Sequence, residues 1–246
     1  MNTGRVVVIT GAGGGVGALL VKRFVDNGDT VVATDANAGA LERLRDSLSH
    51  PGRLIVETAD ISSEEDCRRL AESARQLGGH VDVLINCAGF FPITPFEAIS
   101  VEDWHKVLDI NLTGSFLMVR AFLPLMKNNG GGRIINFGSG SVFDGTKSQT
   151  HYVAAKAGIV GFSRSLAREV GGDGITVNVI TPGLTVTKAV RDHFPEEILQ
   201  AQRERRALQR DEQPEDLVGP VFFLASDDAG FITGQTINVD GGNFMP

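Results

Sequence analysis

Seven short runs of apolar, mostly β-branched residues alternate with longer stretches of helical periodicity, and this rhythm limits the fold more than any other feature. The runs fall at residues 5–10, 30–34, 54–58, 81–86, 133–137, 176–180 and 236–239. Between them, helices are predicted near residues 16–27, 38–49, 63–77, 101–127, 152–170 and 215–225. Strands that alternate with helices read as βαβ units, and uninterrupted apolar character fits strands covered on both faces. Capping signals such as Ser62-Ser63-Glu64-Glu65 and Ser100-Val101-Glu102-Asp103 open two of the helices. No linker or repeat divides residues 1–246, so a single α/β domain with a parallel seven-stranded sheet is expected.

One stretch breaks the rhythm. Residues 188–214 are charged, and Phe194-Pro195-Glu196-Glu197 is expected to start a helix holding Arg203, Arg205, Arg206 and Arg210. Its position after a strand's carboxyl end suits a lid over a ligand. A solvated surface helix is the plainer alternative.

Composition removes several classes of function. Net charge is −7 with no basic cluster, which argues against a nucleic-acid partner. Cys67 and Cys87 have no metal-ligand spacing, so neither a zinc site nor a disulfide framework is expected. No apolar run approaches the ~20 residues of a membrane span. The start, Met1-Asn2-Thr3-Gly4-Arg5, lacks the regions of a signal peptide. A soluble, cytoplasmic protein is the expectation.

Thr10-Gly11-Ala12-Gly13-Gly14-Gly15-Val16-Gly17 lies between the first strand and first helix. Glycines there let the backbone approach a pyrophosphate, which the helix N-terminus attracts. Gly11, Gly13, Gly14, Gly15, Val16 and Gly17 are therefore candidate nucleotide-binding residues. Asp35 closes the second strand, where a carboxylate can accept both adenosine ribose hydroxyls and repel a 2′-phosphate. No basic residue follows at Ala36 or Asn37. NAD is favoured over NADP, although an Asx turn or helix cap would also explain Asp35. Asp60 and Ile61 close the third strand, and Asn86, Ala88 and Gly89 the fourth, where small residues would admit a ribose or a flat ring.

Tyr152, the only tyrosine, precedes Lys156 by four residues. On a helix the two share a face, and a fixed cation there favours the phenolate. A surface pair would show the same spacing.

Together these motifs resemble the short-chain dehydrogenase/reductase family along the whole chain. The match runs from the glycine turn through Asn-x-Ala-Gly at 86–89, Asn111, the Tyr-x-x-x-Lys pair and Pro182-Gly183 to Gly234-Gln235 and Val239-Asp240-Gly241-Gly242. The resemblance implies a doubly wound Rossmann fold with helices on both faces and a homotetramer. Its helices around 101–127 and 152–170 would meet across one interface, and Phe244-Met245-Pro246 would contribute to another. The family's serine falls on Ser139, with Ser141 as a neighbour. By the same resemblance, Asn111 holds a water that relays protons through Lys156, and Pro182, Gly183, Thr185 and Thr187 contact the nicotinamide end. Cys87 and Thr185 depart from the usual pattern without threatening the reaction class.

The implied reaction is hydride transfer between NAD(H) and a secondary alcohol or ketone. In texture the chain is most similar to NAD-dependent dehydrogenases of aryl or cyclic alcohols, of the 1-phenylethanol type. Phe91, Phe143 and Leu184, with Ser139, Ser141 and Tyr152, would line an apolar pocket, and His151 is read as structural or at the pocket edge. The alternatives are a sugar, polyol or pyridoxal dehydrogenase, a 3-oxoacyl reductase, or a non-catalytic NAD sensor.

Overall fold

The apolar runs become strands because their side chains find cover on both sides of one sheet. The computed structural model describes residues 4–127 and 129–245. The first three residues, and Pro246 of the expected apolar end, lie outside the described residues. The strands are β1 (Val6–Thr10), β2 (Thr30–Asp35), β3 (Leu54–Thr58), β4 (Val83–Asn86), β5 (Gly132–Phe137), β6 (Ile175–Pro182) and β7 (Thr236–Val239). They pair in parallel in the order β3-β2-β1-β4-β5-β6-β7. The chain reverses its direction of travel across the sheet between β1 and β4. In such sheets ligands bind beyond the carboxyl ends of the strands at that point.

Alternate residues of the strands feed two cores. Val7, Ile9, Val31 and Ala33 pack against α1 (Gly15–Asp26), α2 (Ala38–Asp46) and α10 (Pro214–Leu224). Val6, Val8 and Val32 face α3 (Glu64–Arg75), α5 (Gly114–Lys127) and α7 (Thr150–Val170). This is the expected doubly wound arrangement, with helices on both faces.

The helix expected over 101–127 is interrupted. A first part, α4 (Val101–Leu108), passes through a π turn over Asp109–Thr113 before α5 begins. The turn presents Asn111, and such widenings often occur at functional sites. By length and mean apolar content alone Val101–Lys127 is comparable to a bilayer span, although no unbroken apolar run within it reaches that length. Here Leu117, Met118, Phe122, Leu125 and Met126 spend their apolar surface on the sheet.

The lid region also differs from expectation. A one-turn α6 (Ser141–Asp144) precedes α7, and residues 188–214 hold two short helices, α8 (Lys188–His193) and α9 (Glu196–Arg205). Val186, Val190 and Leu199 form a small core between them, with Leu184 and Phe194 packed against it. Arg206 and Arg210 lie past the end of α9, not within it, because each side chain is drawn into a polar cluster beyond the helix.

Candidate active site

The glycine turn is shaped by close packing at its base. Gly11 has φ +66°, and a β-carbon there would lie 2.7 Å from Ala88 Cα. At Gly17 a β-carbon would sit 2.1 Å from the Gly11 carbonyl oxygen. The Thr10 hydroxyl accepts the N–H groups of both Cys87 and Ala88, each at 3.1 Å, and so ties this turn to the start of the 86–89 motif. Thr187 stands opposite the turn, its methyl 3.0 Å from where a β-carbon of Gly15 would be.

Asp35 is fixed before any ligand arrives. Its Oδ2 accepts the Gly13 N–H at 3.0 Å, and its Oδ1 accepts the Asn37 N–H at 2.9 Å. The second bond is the Asx-type turn weighed in the sequence, and the first holds the carboxylate against the glycine turn. A backbone cradle closed to side chains, beside a pinned carboxylate, fits an adenine dinucleotide. Gly14 and Val16 lie within the cradle, at the start of α1.

Two candidate groups are engaged within the chain. Asn86 donates through Nδ2 to Asn136 Oδ1 at 2.8 Å, and Asn136 donates to Ser163 Oγ at 2.8 Å. This buried chain ties β4 to β5 and β5 to α7. The Asp60 carboxylate accepts the Ser62 N–H and hydroxyl, capping its own turn, while Ile61 is buried where Gly114 lets it approach.

At the carboxyl end of β5, the Ser139 hydroxyl lies beside the Tyr152 phenol. Ser139 Oγ also accepts the Ser141 hydroxyl at 2.9 Å and the Ser141 N–H at 3.2 Å. Phe91 approaches the Tyr152 ring edge-on with centroids 6.4 Å apart, and Phe143 packs on Phe244 at 6.1 Å. The Lys156 ammonium donates to the Phe137 carbonyl at 2.8 Å and lies 5.7 Å from the Tyr152 ring centroid. Asn111 and Lys156 converge on Gly89, whose added β-carbon would meet Asn111 Oδ1 at 3.2 Å and Lys156 Nζ at 3.6 Å. Asn111 is satisfied by backbone: it donates to the Phe90 and Val107 carbonyls and accepts the Phe90 N–H. His151 is fully buried, and its Nδ1 accepts the Tyr152 N–H at 3.0 Å, a placement suited to structure rather than catalysis.

The electrostatics correct one expectation. Burial pushes the Tyr152 phenol up to about 12, with the Ser139 hydroxyl pulling it down less strongly. The same burial brings Lys156 down to about 8. Lys156 therefore does not by itself bring the phenol into the neutral range, because desolvation opposes both charged forms. The Cys87 thiol, pushed up to about 12 by burial, stays neutral beside them.

Glu212 is a group that the sequence did not single out. Its carboxylate accepts the Gly183 N–H at 3.0 Å and the Thr185 hydroxyl at 2.6 Å, and its carbonyl accepts the Val186 N–H at 2.7 Å. Pro182, which ends β6, accepts the Gly140 N–H beside Ser139. The lid arginines each face a carboxylate: Arg203 meets Glu196 and Asp211, Arg205 meets Asp144, Arg206 meets Glu212 and Arg210 meets Asp216.

A Rossmann sheet with a glycine cradle at its switch point, and a Ser-Tyr-Lys cluster beside it, defines a nicotinamide-dependent oxidoreductase. Residues 11–243 match the family model described as "Enoyl-(Acyl carrier protein) reductase". The chain is 35% identical to a 3-oxoacyl-[acyl-carrier-protein] reductase of Synechocystis, covering 99% of this chain and 98% of that one. It is 36% identical to the (2S)-[(R)-hydroxy(phenyl)methyl]succinyl-CoA dehydrogenase subunit BbsD of Thauera aromatica, over 98% of this chain and 97% of the other. A solved glucose/ribitol-type short-chain dehydrogenase from Brucella melitensis superposes with a TM-score of 0.93 at 30% identity, covering 99% and 98% of the two chains. The chain belongs to the short-chain dehydrogenase/reductase family.

Proposed function

We propose that this protein is an NAD-dependent oxidoreductase that interconverts an apolar secondary alcohol, aryl or cyclic, and its ketone. The observation that carries the substrate class is the aromatic lining beside the reacting phenol, with Phe91 edge-on to Tyr152 and Phe143 backed by Phe244. The named lid arginines are already matched by carboxylates, so an anionic substrate would have to break those pairs. Asp35 supports NAD, because a 2′-phosphate would meet a carboxylate already fixed by two N–H groups.

The bound nicotinamide supplies or accepts the hydride. Ser139 orients the substrate oxygen through its hydroxyl. Tyr152 takes the alcohol proton in oxidation and returns it in reduction, for which the neutral buried phenol is already in the donor form. Lys156 spends one donor on Phe137 and has others for the nicotinamide ribose hydroxyls. Its charge stabilises the phenolate as that forms. Asn111, fixed beside Gly89 and Lys156, holds the water that relays the proton outward. Thr185 and Thr187 hold the carboxamide and pyrophosphate, and α8 with α9 closes over the site.

A second reading, a 3-oxoacyl reductase or sugar dehydrogenase, is favoured by the names of other relatives. These include 3-oxoacyl-[acyl-carrier-protein] reductases, an acetoacetyl-CoA reductase and a probable galactose dehydrogenase. The Thauera relative's name instead carries a phenyl-bearing carbinol. A homotetramer in the cytoplasm completes the proposal. Exposed Phe116 on α5 and Met245 near the carboxyl end support the assembly, and two free cysteines suit a reducing compartment.

The test is the initial rate of NADH formation with 1-phenylethanol, cyclohexanol and sugars, beside NADH oxidation with a 3-oxoacyl ester. Turnover should be at least about tenfold better on the aryl or cyclic alcohols, since the pocket offers apolar area and the named lid arginines are already paired. Tyr152→Phe should lose turnover while retaining NADH binding. Activity confined to sugars or 3-oxoacyl compounds overturns the apolar assignment.

A further inference from the structure

The segment following β6 is held from behind by a buried polar cluster that the proposed reaction does not use. Arg206 and Glu212 are both nearly inaccessible, with side chains 2% and 4% exposed, and stand 3.6 Å apart. Arg206 donates to the carbonyls of Leu184 (2.9 Å), Arg210 (3.1 Å) and Asp240 (3.1 Å). Glu212 binds Gly183 and Thr185 through its side chain and Val186 through its backbone. A β-carbon at Gly183 would fall 2.7 Å from Glu212 Oε2 and 3.2 Å from an Arg206 nitrogen, so this cluster leaves no room there for a side chain. Four consecutive residues, 183 to 186, are thus held by two side chains and one carbonyl reaching in from the far end of the lid.

We propose that Glu212, in its ionised form and paired with Arg206, is a positioning residue that sets the 183–187 segment for the nicotinamide end of the coenzyme. This rests on the assignment of that segment to the coenzyme in the proposed function. A carboxylate is the only common side chain of this length that accepts at both oxygens at once. Protonation spoils one of the acceptors and cancels the attraction to Arg206. Glutamine presents a donor where one acceptor is needed.

The surrounding charges make this protonation accessible. Among the described residues, Arg206 faces the carboxylate, Asp240 acts on it through space while its own oxygens accept the N–H groups of residues 242–244, and Arg210 with Asp216 borders the same cavity of roughly 170 Å³. Burial, reinforced by Asp240, outweighs the Thr185, Arg206 and Gly183 interactions and lifts Glu212 to about 7. The sign follows: the carboxylate is ionised above neutral pH and protonated below it, so the segment is set at pH 8 and loosened at pH 6. Lys156, lowered to about 8, works the other way, because its ammonium is present at low pH and lost above.

The experiment is a fluorescence titration of NADH, and in parallel NADPH, into the full chain at pH 6, 7 and 8, for wild type, Glu212→Gln and Thr185→Val. Thermal melts check that each variant is folded. Wild-type affinity for whichever coenzyme binds should rise about tenfold from pH 6 to 8. Glu212→Gln should bind about tenfold more weakly at pH 8 and lose the dependence. Thr185→Val, which removes only the hydroxyl contact, should weaken binding less and keep the slope; it carries the test if Glu212→Gln fails to fold. A wild-type slope that survives in Glu212→Gln, or no slope in wild type, overturns the proposal while leaving the coenzyme assignment intact. Preference for NADPH overturns the reading of Asp35 alone. Binding of neither coenzyme overturns both.

Discussion

Replacing Asp35 with serine tests the coenzyme assignment most directly. The carboxylate is held by the N–H groups of Gly13 and Asn37, at 3.0 and 2.9 Å, so it cannot swing away from an incoming group without losing both bonds. A 2′-phosphate carries about −1.5 to −2 charges at neutral pH. Two unit charges ~4 Å apart at an effective dielectric near 20 repel by about 4 kcal/mol, giving ~6–8 kcal/mol for the phosphate. Asp35 is only partly buried, and solvent with salt at this rim removes half or more of that. About 3 kcal/mol remains, a preference for NAD of roughly a hundredfold. Asp35→Ser removes the charge and leaves a hydroxyl, so the preference should fall to within about tenfold. The assay is kcat/KM for NAD and NADP with one alcohol, plus a thermal melt of the variant. A wild-type enzyme that uses NADP as well as NAD, or a ratio that Asp35→Ser does not move, refutes the electrostatic reasoning.

Two further outcomes follow from the same geometry. Because burial holds Tyr152 near 12, alcohol oxidation should climb by up to about tenfold per pH unit from neutral pH. At saturating coenzyme it should bend above about 8, where Lys156 loses its charge, while ketone reduction stays nearly flat from pH 6 to 8; paired pH–rate profiles check this, and an oxidation plateau already at pH 7 contradicts it. Gly17→Ala forces a methyl to 2.1 Å from the Gly11 carbonyl oxygen, a backbone atom that has no rotamer to move. Overpacking of this kind costs about 3 kcal/mol or more, which at this chain length lowers Tm by roughly 6–12 °C, and an unchanged melting curve refutes the close packing.

The sheet was legible because a strand buried on both faces has to be apolar along its length, as the central strands β1 and β4 show, while β3 and β7 at the two edges are less covered. Asp35, Ser139, Tyr152 and Lys156 were legible for a related reason: each sits at the end of a strand or at a short fixed spacing. What stayed hidden depends on partners far away in sequence. Asn86 meets Asn136 fifty residues on, and Glu212 holds Gly183 twenty-nine residues back. Such contacts leave no periodicity to read, since one carboxylate in a charged stretch looks like any other. The partners of the lid arginines were hidden for the same reason, because four positive charges in a row of polar residues do not show which carboxylate each will meet. The π turn was also hidden, as the apolar pattern of 101–127 continues through it.

That turn also fixes how the long helix can change in length. An α-helix absorbs an added residue only by widening one turn, and here the widening keeps α4 and α5 each on its own packing face. Loss of a single residue between Asp109 and Thr113 would close the widened turn into an ordinary α turn, leaving α4 and α5 on their faces but removing the widening that presents Asn111. Asn111 would then swing off the Phe90 backbone and away from Gly89. Residues lost at either end of the helix would leave the turn alone, so trimming at the tips spares Asn111 whereas shortening at the middle does not.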